Sequence, residues 1–68
     1  MRGERMTADQ RLMILLAAVE GGVHVIRLRP EWRLMAGALV ARGYLAGTDI
    51  YTATAAGRRA LEEADHGR

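Results

Sequence analysis

The stretch Tyr44-Leu-Ala-Gly-Thr-Asp-Ile-Tyr-Thr-Ala-Thr-Ala-Ala-Gly-Arg-Arg-Ala-Leu61 joins a hairpin signal directly to a helix start. Tyr44–Ala46 and Ile50–Thr52 are short strand-favouring runs on either side of Gly47-Thr-Asp49, a glycine-containing connection of hairpin length. Thr54 then suits an N-cap, because its hydroxyl can accept an amide proton from the first turn, and Thr52 stays on the strand. The helix it opens is expected to run to about Ala64, with Leu61, Ala64 and Ala60 along its apolar edge. Gly57, lacking a Cβ, lets that helix approach a neighbouring backbone. Glu62, Glu63 and Asp65 oppose the dipole at its carboxyl end, so this terminus is expected to fray.

Upstream, Thr7-Ala-Asp-Gln10 reads as a capping box, with the Thr7 hydroxyl and the Gln10 side chain each satisfying an amide of the other residue. Leu12, Leu15, Leu16 and Val19 follow at helical spacing and form the expected apolar stripe; Met13, Ile14 and Ala17 widen it. Gly21-Gly22 supplies the stop. Val23–Leu28, β-branched and bounded by the glycine pair and Pro30, reads as a short strand with His24 on its surface. Pro30 fits the first position of a second helix and Glu31 the positive end of its dipole. Trp32, Met35, Ala36, Leu39 and Val40 trace its buried face, Arg33, Ala41 and Arg42 lie outside, and Gly43 ends it. Gly37 in mid-helix signals either a close helix approach or simple drift. The domain is expected over residues 7–65, between a loose arm (1–6) and a tail (66–68).

A chain of 68 residues makes one domain. It buries only about 60% of its unfolded surface, which leaves little stability for an enclosed cleft. Phe and Cys are absent, so the core is aliphatic and there are no disulfides or thiolate metal sites. The apolar run Leu12–Val19 is too short to span a bilayer and no cleavage pattern follows it, which predicts a cytoplasmic protein. The net charge is +2, with ten Arg and no Lys. That bias fits either a GC-rich genome or a partner rich in phosphate or carboxylate.

The order helix, strand, helix, two-stranded wing, helix resembles the winged helix-turn-helix family. Bacterial regulators of that family, many of them repressors, commonly close the recognition helix with Leu, two variable residues, a charged residue, Gly and an apolar pair; Leu39-Val-Ala-Arg-Gly-Tyr-Leu45 does so. After the wing they commonly show Tyr-x-Leu-Thr-x-x-Gly-Arg-x-x-Leu. Tyr51–Leu61 is similar, with Ala53 in place of the Leu. Together these pieces span about a third of the chain. The expected fold class is α+β: a small winged-helix-like domain with three helices, a short strand and a two-stranded wing. Between the end of the first helix and the end of the recognition helix the family needs about 30 residues. Gly21 to Gly43 holds only one strand and one helix, so one helix of the helix-turn-helix is lacking.

The resemblance implies a small DNA-binding, transcription-regulator-like protein. Arg33 and Arg42 would contact double-stranded DNA, and Arg27, Arg29, Arg58 and Arg59 would hold phosphates. A homodimer is expected, with Met13, Ile14 and Ala17 as its face. The wing tip carries Asp49 where minor-groove wings carry Arg or Lys. That leaves an alternative: a phage or mobile-element protein, anti-CRISPR-like, whose Asp49 wing and arginine surface bind and inhibit a protein partner. Neither reading calls for a cofactor. No enzyme is expected, because no hydroxyl stands beside a base and there is no phosphate-binding glycine loop. His24 and His66 have no acidic residue at ligand spacing, so no metal site is expected.

Overall fold

The computed structural model describes residues 6–66, the last two by backbone alone. Thr7 opens α1, Ala8–Ala18, through the expected capping box: its hydroxyl accepts from the Gln10 amide at 3.1 Å, and its own amide donates to the Gln10 side-chain oxygen at 2.9 Å. After Gly21 and Gly22, β1 is Val23–His24. Here the structure corrects the sequence reading, because the strand expected over Val23–Leu28 lasts two residues and continues as a single 3₁₀ turn, Val25–Arg27. The turn closes where the Leu28 amide meets the Val25 carbonyl at 3.0 Å.

Helix α2, Pro30–Ala41, follows with Pro30 and Glu31 in its first turn. Gly43, at φ +83°, adopts the left-handed conformation that ends it. Strands β2, Leu45–Ala46, and β3, Ile50–Ala53, form the wing, and α3, Ala55–His66, closes the fold. The sheet is antiparallel with order β1-β3-β2; Val23 pairs with Tyr51, and Leu45 with Ala53. β3 is thus divided, its first half paired with β1 and its second with β2. The chain is α+β and winged-helix-like: three helices, a short strand and a two-stranded wing. Most of the loose arm expected over 1–6 lies outside the described residues, although Met6 packs on the core; residues 67 and 68 also lie outside.

The core contains Met13, Ile14, Ala17, Leu28, Ala36, Leu39, Leu45 and Tyr51. This reverses the expected facing of α1. Met13, Ile14 and Ala17, the expected dimer face, are at most 1% exposed, whereas Leu12, Leu15, Leu16 and Val19 are 41–56% exposed. Both sets have helical spacing, so periodicity alone cannot choose between them. The choice is made by β3, α3 and α2, which α1 packs against. On α2 the expected face holds: Ala36 and Leu39 are buried, and Trp32, Met35 and Val40 are half-buried against them.

Thr54 joins the wing to α3. Its hydroxyl donates to the Gly43 carbonyl and accepts from the Gly57 amide at 3.0 Å, so one side chain caps α3 and ties it to the end of α2. A Cβ on Gly57 would run into the Tyr44 carbonyl oxygen, which confirms the close approach expected there. A Cβ on Gly37 would meet nothing within 4 Å, so no close helix approach explains that glycine.

Candidate nucleic-acid interface

Helix α2 presents one side to solvent from end to end: Leu34, Gly37, Ala38 and Ala41 are exposed, Leu34 to 78%. At 100° per residue Arg33 and Arg42 fall on opposite edges of that strip. Nine residues of rise separate them along the axis, about 13.5 Å. The strip is therefore narrow and smooth, with a guanidinium at each end on alternate flanks. It carries no hydrogen-bonding side chain of its own.

Arg33 has a second task that the sequence does not reveal. Its Nε donates to the Leu28 carbonyl at 3.1 Å and lies 3.3 Å from the Val25 carbonyl. It thereby fastens the 3₁₀ turn to the first turn of α2. This uses one of the five guanidinium donors and leaves the terminal nitrogens for other work. The same turn is held to the wing, because the Val25 amide donates to the Asp49 carbonyl at 2.8 Å. Asp49 thus contributes through its backbone, while its side chain is exposed.

Arg27 ends the 3₁₀ turn and Arg29 is the N-cap residue of α2. Both are exposed, and neither side chain makes a hydrogen bond or ion pair among the described residues. With Arg33 they surround the positive end of the α2 dipole, opposed by the exposed carboxylates of Glu31 and Asp49. The local balance is about +1. Such a site attracts an anion only weakly.

Arg58 is placed elsewhere. Its Nη2 donates to the Ala18 carbonyl at 3.3 Å, so it caps the carboxyl end of α1, where a cation also suits the dipole. Arg59 is exposed beside it on α3. The expected set therefore divides between two regions: Arg27, Arg29, Arg33 and Asp49 around the 3₁₀ turn, and Arg58 with Arg59 at the junction of α1 and α3. Arg42 stands at the far end of α2 as its C-cap residue.

Beside the arginines of the turn lies a shallow hollow of about 230 Å³, lined by Leu12, Leu16, Arg27, Leu28, Arg29 and Trp32. It falls below the roughly 300–1,000 Å³ of small-molecule sites and is open to solvent, a size that suits an apolar side chain from a partner better than a ligand. Leu28 and Trp32 flank Pro30 at helical spacing, yet nothing local places them beside Leu12 and Leu16. Among the described residues no group of three His, Cys, Asp or Glu could hold a metal, and no helix is long and apolar enough to cross a membrane. Comparison with family models, curated proteins and solved structures finds no match to the chain.

Proposed function

We propose that this protein is a winged helix-turn-helix relative that binds double-stranded DNA through α2, with the scaffold helix of that family reduced to the Val25–Arg27 turn. The carrying observation is the exposed strip of Gly37, Ala38 and Ala41, with Leu34 standing out at its amino end and Arg33 and Arg42 on its opposite edges. A major groove is about 12 Å wide, and a helix with a smooth face can sink into it while arginines about 13.5 Å apart reach phosphates on the two strands. Arg27 and Arg29 add phosphate contacts at the amino end. The strip offers no donor for base edges, only apolar contacts such as those made to thymine methyl groups. Binding is therefore led by phosphate and weakly selective, as suits a small regulator-like or architectural protein.

The test is fluorescence anisotropy with a random-sequence duplex across a salt series. Three or four phosphate contacts predict a slope of about −3 in log K against log salt, at about 0.9 per contact, with dissociation constants of about 1–100 µM near physiological salt. No binding at about 20 µM protein in low salt would refute the reading.

A second reading is favoured by Leu34 and Ile26, which are 78% and 77% exposed. Large apolar side chains this open suit a protein partner, with the strip accepting a helix and the arginines facing its acids. In that case the protein is the adaptor or inhibitor of a phage or mobile element. Ile26→Glu separates the readings, because Ile26 lies on the 3₁₀ turn and outside the strip: it abolishes partner binding, and it weakens DNA binding only as far as one added charge does.

A further inference from the structure

The exposed stripe of α1 is the largest feature that the DNA reading leaves unused. Leu12, Leu15, Leu16 and Val19 are 46%, 51%, 41% and 56% exposed, and they lie on the side of the helix away from Met13, Ile14 and Ala17. Charged groups stand at both of its ends: Asp9 is exposed in the first turn, while at the last Arg58 sits on the Ala18 carbonyl and Glu20 is exposed just beyond Val19. We infer that this stripe is the interface with a second copy of the chain, the two α1 helices packing antiparallel about a two-fold axis at Leu15–Leu16.

The antiparallel arrangement follows from charge. A two-fold pairing centred there sets Leu12 against the partner's Val19 and brings Asp9 to the carboxyl end of the partner's α1, where the partner's Arg58 is. The same contact recurs on the other side of the axis, as an isologous interface requires. The helix dipoles also oppose, positive end against negative. A parallel pair would instead place Asp9 on Asp9 and Arg58 on Arg58, like charge on like. The hollow formed by Leu12, Leu16, Leu28 and Trp32 borders the stripe, so an apolar side chain of the second copy has a socket at its edge. Arg33 and Arg42 take no part, Arg27 and Arg29 only line the socket, and the inference does not rest on the DNA reading.

The experiment is sedimentation equilibrium of the full chain without DNA, alongside far-UV circular dichroism. Wild type is expected to be dimeric at about 100 µM, at twice the 7.5 kDa chain mass. Leu15→Asp, at a half-exposed position that leaves the monomer fold intact, is expected to weaken the dimer by at least about 100-fold with an unchanged helical spectrum. Asp9→Asn, which leaves the Arg58 cap of α1 in place, is expected to weaken it about 10-fold in an antiparallel pair, where it removes an attraction on each side of the axis, and to strengthen it in a parallel pair, where it relieves a repulsion. A wild type that stays monomeric at that concentration overturns the proposal, as does a dimer that survives Leu15→Asp. A dimer strengthened by Asp9→Asn overturns the antiparallel arrangement. Since no arm contains DNA, a negative result here leaves the anisotropy experiment to stand or fall by itself.

Discussion

The Nε of Arg33 lies 3.1 Å from the carbonyl oxygen of Leu28, five residues earlier, and this bond joins the two pieces of chain that must agree if α2 is to be presented to a partner. A full helix in place of the turn would brace α2 over a broad packed surface. A single 3₁₀ turn cannot do that, so the turn is held by Arg33 on one side and by the Asp49 carbonyl on the other. These polar contacts, exposed or half-buried, join the turn to the amino end of α2, while Ala36 and Leu39 hold the helix on the core.

Arg33→Ala is therefore expected to cost about 1 kcal/mol, at the low end for a charged hydrogen bond because the site is open to water. In a domain of this size that lowers the midpoint of thermal unfolding by about 4–8 °C. Thermal melts followed by circular dichroism measure it. Hydrogen exchange should show the Leu28 amide losing protection first, since its bond to Val25 closes the turn.

Two glycine substitutions are expected to have opposite signs. Gly57→Ala pushes a methyl group into the Tyr44 carbonyl and should destabilise by more than about 2 kcal/mol, separating α3 from the wing. Gly37→Ala adds a methyl group in open space on an exposed helix and should stabilise by about 0.5–1 kcal/mol. Urea unfolding of the pair decides it, and equal effects would refute the packing described at Tyr44.

The two faces of α1 make a similar contrast. Ile14→Ala empties a fully buried position and is expected to cost about 2–5 kcal/mol, enough to unfold much of a domain this small. Leu15→Ala, at a half-exposed position, should change the stability of the isolated chain by less than about 1 kcal/mol. Far-UV spectra at low protein concentration, below any association, report the difference.

Removing Thr54 should affect two elements together. Thr54→Val keeps the shape but loses both the cap to Gly57 and the bond to the Gly43 carbonyl, an expected cost of about 1–2 kcal/mol. If the residue were only a cap, exchange would rise in the first turn of α3 alone; if it also joins α2, the amides of Gly43 and Tyr44 should open with it.

On the DNA reading, Arg42→Ala and Arg29→Ala should each lower the salt slope by about one unit and weaken all duplex sequences alike. Substitutions that change the preference among sequences would show base reading and would contradict a strip without donors.

The elements whose causes are local can be read from the chain alone. The capping box of Thr7 and Gln10 spans three residues, as does the Thr54 cap. Gly43 and the hairpin around Gly47 act through their own backbone, so α1, α2, the wing and α3 were legible where they stand. Tertiary structure alone decided which face of α1 is buried, because Met13, Ile14 and Ala17 and the four exposed residues have the same period and only β3, α3 and α2 distinguish them. It also turned Val25–Arg27 out of the strand, since Val25 bonds to Asp49 and Arg33 grips the turn from eight residues away. Arg58 reaches Ala18 across forty residues of sequence. Contacts at such separations leave no periodic trace in a single chain, and only they show that Arg33 and Arg58 hold backbone carbonyls of other elements.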